Sequence, residues 1–459
     1  MSEVQLTGRV VRPGDPAYDN ARKAYNARFD IFPKVIVFAQ CVDDVVNAVK
    51  WARDHGVCPS MRSGRHSYEA FSLVQEGIVI DVSALCEVDV NLEPDGKRGW
   101  AKVGAGIQLY PLYERLWQDR VTVPGGSCPT VGIAGLTLGG GLGLLGRSRG
   151  LTCDKLLGLD LVDAQGQVLC ANAGQHNDLY WASRGGGGGN FGVVTSFTFQ
   201  VEAIDRVAVY NLTWPWETLT DVTEVWQNWA PSTDRRLFSI LKLNSASTGI
   251  ISSIGQFEGS AGELCDLLQP LLQVGQPKIE LHEVPYIDAV RFFAGIDPLR
   301  LYLKVHHDPT PNTRFKNTSA YAKVPISAAG IAVIHHFLSS TPNERSLLQL
   351  DSLGGAIADV PAEATAFFHR AGNLFSLQYQ AYWNDDNEGP ANLTWVEDFR
   401  RALLPYVSNG AYRNYCDVDI QDWPQAYYGA NFKRLVAVKK RYDPDNIFSY
   451  AQSIPPTLC

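Results

Sequence analysis

An α+β architecture in two units follows from three features of the 459-residue sequence. The chain exceeds the usual span of one hydrophobic core, so two domains are expected. Up to residue 205, β-branched strand segments alternate with helical spacing and glycine-rich turns. From 206 to about 410 the glycine runs cease, and Trp, Tyr and Phe spread over alternating strands and helices. Residues 411–459 return to dense polar and aromatic motifs and are expected to pack back on the first domain.

Taken in order, "KVIVFAQ" (34–40) reads as a buried strand. "VDDVVNAVKWARDHG" (42–56) follows with helical spacing, Val42, Val45, Val46, Val49 and Ala52 forming one face. Asp43 and Asp44 lie in its first turn and Gly56 at its end, as the helix dipole and C-cap prefer. "VCPSMRSG" (57–64) is a strand running into a turn, which completes an α/β unit. "LLGLDLVDAQGQVLCAN" predicts a hairpin turning at Gly166, and "GVVTSFTFQVEAI" (192–204) a long closing strand.

Composition narrows the function classes. A net charge of −8 without a basic run argues against nucleic acid or an anionic membrane as partner. No stretch reaches the roughly 18 apolar residues of a membrane span. The N-terminus shows no apolar signal core, so a cytoplasmic location is the expectation. Nine cysteines, odd in number and without a CxxC pair, do not form a disulfide framework or a zinc ribbon. The adjacent pairs His306–His307 and His335–His336 point apart on a strand or helix and are not read as metal ligands.

Four patches carry the chemistry: "RSGRHSY" (62–68), "GGSCPTVGIAGLTLGGGLG" (125–143), "RGGGGGNFG" (184–192) and "AYYGANFKRL" (426–435). Successive glycines let backbone N–H groups surround an anion, most often a diphosphate. Gly141–Gly146 formally fits GxGxxG, but no strand precedes it and no helical face follows, so a nicotinamide-dinucleotide site is not expected. Cys128 sits on a turn between Ser127 and Pro129, and Arg62 and Arg65 bracket the approach to His66. Two nucleophiles on glycine turns beside two anion cradles suggest covalent attachment of a phosphate-bearing cofactor.

These motifs, with "NYCDVDIQDWPQAYYGANFKRLVAVKKRYDPDNIFSYAQSI" (414–454), resemble the berberine-bridge-enzyme-like, FAD-linked oxidases of the vanillyl-alcohol-oxidase (PCMH-type) fold. The resemblance implies a PCMH-type FAD-binding domain and a substrate domain of antiparallel sheet flanked by helices. It implies bicovalent FAD, with His66 on the 8-methyl carbon and Cys128 on ring carbon 6. Arg62, Ser63, Gly64, Arg65 and Ser67 would wrap the cofactor. So would Gly126, Ser127, Val131, Gly132, Gly135, Leu138, Gly139, Gly140, Gly141 and Gly143. Gly192 and Val194 would face the adenine, and Tyr428 and Asn431 would reach the flavin ring.

Carbohydrate-oxidising members take their base from a Y-x-N-Y motif, here Tyr412 to Tyr415, which implies Tyr415 as base, Tyr412 as a substrate contact and Asp351 as the proton's next stop. Strand alternation puts Gln349 on the face of Asp351, and Gln378 with Gln380 on one face of "FSLQYQAYW". Tyr68 completes the expected substrate set. No acidic residue in that strand matches the glutamate base of the alkaloid-cyclising branch. Val131 fits members that react with O2. The expected activity is oxidation of an oligosaccharide's anomeric hydroxyl to a lactone, giving H2O2. The alternatives are tailoring of a sugar-bearing or polycyclic secondary metabolite, and flavin binding without catalysis.

Overall fold

Three sheets organise the computed structural model, which describes residues 4–296 and 313–458. The first has four strands in the order Arg9–Val11, Val35–Phe38, Ile78–Asp81, Pro59–Arg62. The last three are parallel, and the first runs antiparallel to its neighbour. The helix Val42–Asp54 provides the crossover that parallel strands require. Its buried face is Val45, Ala48, Val49 and Ala52. Val42 and Val46, expected on that face, are only half-buried at its margin.

The second sheet is antiparallel, ordered Val88–Leu92, Arg98–Gly104, Val193–Ala203, Leu156–Val162, Val168–Asn172. The predicted hairpin is its last pair, with Gly166 at φ +73° in the turn. Two residues separate the strand Val193–Ala203 from the next, which begins at Arg206, so the change in sequence character falls between sheets.

The third sheet has seven antiparallel strands drawn from residues 206–383. Helices Leu219–Trp229, Ala328–Ser339 and Gly389–Leu403 cover one face, where Trp226, Trp395 and Phe399 pack on Leu241, Leu350, Leu377 and Tyr379. Because side chains alternate along a strand, the residues between these point the other way. Lys242, Gln349, Asp351, Gln378, Gln380 and Tyr382 thereby line a cavity shared with the glycine loops.

One buried ammonium ties the pieces together. Lys316 Nζ lies 3.1 Å from Glu69 and 2.5 Å from both Asp417 and Asp419, with its side chain wholly buried. Glu69 also receives Arg28 at 2.6 Å. Such a cluster costs desolvation and is kept only when every partner is in place, so it fixes the relative positions of three distant segments. Among the described residues no helix is long and apolar enough to cross a membrane. His335 packs on Trp216 with ring centroids 4.7 Å apart, while His306 and His307 lie outside the described residues.

Candidate active site

The cavity between the glycine loops and the seven-stranded sheet has a volume of about 430 Å³. His66 enters it from the loop after the strand Pro59–Arg62. Its ring stacks on Tyr25 at 3.6 Å, and Nε2 lies 2.9 Å from the Thr130 hydroxyl. Burial lowers its pKa to about 3, so the imidazole is neutral and keeps a lone pair. Cys128 Sγ lies 3.9 Å from the same hydroxyl. Both nucleophiles therefore converge on Thr130, a residue whose role the sequence reading missed.

The loops that carry them are pressed together. A Cβ on Gly64 would stand 2.2 Å from the amide nitrogen of Gly132, so any side chain there drives the two loops apart. Ser63 Oγ donates to Ala105 O at 2.9 Å, and Ser67 Oγ accepts from Phe71 N at 2.9 Å. Arg65 holds φ +67°, a left-handed conformation that costs a non-glycine residue about 1 kcal/mol. Gly126, Ser127, Val131, Gly132, Gly135, Leu138 and Gly143 line the cavity, as do Gly192 and Val194.

The residues fit FAD. Arg62 is buried against Asp81 at 2.7 Å, yet its Nη1 has no partner and the residue lines the cavity. A buried N–H without an acceptor costs the desolvation of that group, and a cofactor phosphate would supply the acceptor.

Five expected cofactor contacts lie elsewhere. Gly139 abuts the Asn414 amide, Gly140 the Phe367 ring, and Gly141, at φ +90°, the Thr152 hydroxyl. They form the layer behind the cavity wall. Tyr428 is fully buried and donates to Gly186 O at 2.8 Å. Asn431 Nδ2 donates to Ala362 O and Thr365 O at 2.8 and 3.1 Å. These polar side chains satisfy buried carbonyls.

Opposite the loops, the sheet presents a hydrogen-bonded row of amides and phenols. Tyr382 donates to Gln380 at 2.7 Å, Gln380 to Gln378 at 3.2 Å, and Gln378 to the Tyr68 hydroxyl at 2.9 Å. Asn317 joins through Tyr382 at 3.2 Å. Strand register sets this row, because Gln378 pairs with Gln349 and Gln380 with Asn317 across the ladder.

Tyr415 stacks on Tyr68 with centroids 5.7 Å apart and meets Tyr412 edge-on at 4.8 Å. Burial, then the Asp351 carboxylate, push its pKa well above the usual phenol range. Asp351 accepts from Gln349 at 2.9 Å and from Ser376 at 3.3 Å. Burial raises its pKa to about 6, while these two hydrogen bonds and the Lys242 ammonium pull the other way. Lys242, across the ladder from Gln349, escaped the sequence reading. Tyr412 also lines the cavity, but its hydroxyl accepts from the amides of Gly141 and Leu142 at 2.9 and 3.1 Å. It pins the glycine loop rather than presenting a free hydroxyl.

A model of the FAD binding domain matches residues 33–172, and a model described as berberine and berberine like matches 411–455. The chain is 40% identical to the FAD-linked oxidoreductase YgaK of Bacillus subtilis, over 99% of this chain and 98% of the relative. It superposes on BBE-like 1 of Physcomitrella patens with a TM-score of 0.91 at 33% identity, covering 99% and 98% of the two chains. Chitooligosaccharide oxidase matches with a TM-score of 0.86 at 26% identity, over 98% of each chain.

Proposed function

The chain belongs to the berberine-bridge-enzyme-like family of FAD-dependent oxidoreductases, and from that premise we propose that it oxidises the anomeric hydroxyl of an oligosaccharide to a lactone. The observation that carries this reading is the row Asn317–Tyr382–Gln380–Gln378–Tyr68 facing the cavity. Amides and phenols both donate and accept, which suits a substrate bearing many hydroxyls. The structural likeness to chitooligosaccharide oxidase supports the same substrate class.

Bound flavin supplies hydride acceptance and passes the electrons to O2, so that the sum is alcohol plus O2 giving lactone plus H2O2. The chain's own groups do the rest. Gln378 and Gln380 orient the sugar. Tyr415 accepts the hydroxyl proton as its own phenolic proton leaves toward Asp351, the carboxylate whose charge acts on it. A carboxyl with pKa about 6 is ionised at neutral pH and can receive that proton.

His66 and Cys128 attach the cofactor covalently in this reading. Their convergence on Thr130 and the neutral imidazole support it. Val131, half-buried at the cavity, leaves space for O2.

Peroxide release over a panel of mono- to tetrasaccharides tests the substrate class, and silence on every sugar ends it. Boiling in detergent tests the linkage separately. A yellow polypeptide whose mass exceeds the bare chain by one flavin is expected, and a colourless chain of bare mass refutes covalent attachment.

A further inference from the structure

Four arginines are buried among the described residues, and three meet a carboxylate or several carbonyls of the fold. Arg62 pairs with Asp81 at 2.7 Å. Arg370 grips Asp154 through two nitrogens at 2.8 and 2.7 Å. Arg147 donates to the carbonyls of Pro231, Leu353 and Thr233. Arg413 differs. Its Nη2 donates to the Tyr450 hydroxyl at 2.8 Å, its Nε has no partner, and among the described residues no carboxylate oxygen comes within 4.0 Å.

Aromatic rings surround the group without neutralising it. Cζ lies 5.3 Å from the Tyr427 ring centre, 5.6 Å from Tyr450 and 5.7 Å from Phe71. These distances are near the outer limit of about 6 Å for a cation–π contact. A buried cation whose hydrogen-bond partners are neutral hydroxyls, Tyr450 and Tyr428, is costly unless an anion completes the site.

Geometry shows where that anion would sit. Arg413 lines the cavity beside Gly187, Gly188, Gly189 and Tyr450. A Cβ on Gly187 would stand 2.8 Å from Arg413 Nε, so the bare backbone is what lets the guanidinium lie against the loop. Tyr450 bridges the two, donating to Gly188 O at 3.0 Å. The amides of Gly188 and Gly189 donate to no backbone carbonyl. A guanidinium and free amides along a glycine turn form an oxyanion cradle.

We propose that Arg413, with the Gly187–Gly189 backbone, is the counter-charge for an oxyanion of the bound FAD. Two parts of the cofactor have this chemistry: the diphosphate, and the pyrimidine-ring oxygen that takes negative charge on reduction. The site lies on the cofactor side of the cavity and does not depend on which substrate is oxidised.

The test uses Arg413→Met and Arg413→Gln in a His66→Ala/Cys128→Ala background, where flavin is held without covalent bonds. Each protein is titrated with FAD and with riboflavin, which lacks phosphate, and the loaded protein is titrated with sulfite, whose flavin adduct puts negative charge on the pyrimidine ring. A tenfold or larger loss of FAD affinity with riboflavin unchanged assigns the diphosphate. Unchanged FAD affinity with sulfite affinity reduced tenfold or more assigns the ring oxygen. FAD and sulfite affinities both within twofold of the background protein overturn the proposal. Two neutral replacements of different shape guard against one failing to fold.

Discussion

One wall of the cavity is backbone and the other is side chain. Along 62–67 and 126–143 the chain exposes glycine amides, and the shape comes from loops in contact, as at Gly64 and Gly132. Across the cavity, the sheet offers alternate residues of regular strands, and the shape comes from register. At Gly64, Gly132 and Gly143 the first wall has no room for an added atom. On the second wall a side chain of similar size fits the space and changes the chemistry presented to the cavity. A scaffold of this kind keeps its cofactor while its substrate changes.

The sharpest way to break the comparison is Tyr415→Phe, which removes the proposed base and leaves both walls intact. Flavin reduction by a found sugar should slow by roughly 10²–10⁴-fold, the usual contribution of a general base, with flavin content unchanged. Unimpaired reduction in a stopped-flow trace refutes the assignment. Next in size, Gly64→Ala should strip the backbone wall of its function, because its Cβ meets the Gly132 amide at 2.2 Å. The expected outcome is a chain with under a tenth of the parental flavin per polypeptide, read from the 450 nm absorbance, on the order of a 1.4 kcal/mol loss in loading.

Asp351→Asn probes the sheet wall by pH. With a pKa of about 6, the native carboxyl is protonated below that pH and cannot receive a proton, so kcat/KM should rise as pH increases through about 6. The Asn variant should lose that limb and run about tenfold slower above it, at the low end of general acid–base contributions. A retained limb near 6 would place the titration on another group. Gln378→Ala should raise KM about fivefold with kcat nearly unchanged, the worth of roughly 1 kcal/mol of hydrogen bonding. Smallest of all, Tyr428→Phe should lower stability by about 1 kcal/mol, through the lost bond to Gly186 O, with flavin content and turnover intact.

The two walls also differ in how far the sequence discloses them. His66 and Cys128 lie in short motifs whose chemistry is local, and their meeting at Thr130 needs only two loops to touch. Gln378 with Gln380, and Gln349 with Asp351, were paired by strand alternation alone, since a two-residue period puts them on one face. What joins the pairs is ladder register, which alternation does not state. Lys242 escaped for the same reason, being visible only as the partner of Gln349 across the ladder. Arg413 was hidden inside the Y-x-N-Y motif, where attention falls on the tyrosines. Tyr428 and Asn431 show the converse, since their bonds to buried carbonyls are long-range and invisible in the motif that carries them.

The ammonium of Lys316 has a consequence for how the molecule is made. Its partner Glu69 leaves the ribosome long before it, but Asp417 and Asp419 are translated about a hundred residues after it. Until they arrive, the growing polypeptide has a half-neutralised cluster and no reason to close around it. Tyr415 travels on the same late stretch, two positions ahead of Asp417. Closure of the ion cluster and arrival of Arg413 and Tyr415 at the cavity are thus timed together, so both walls are completed only when synthesis is nearly over.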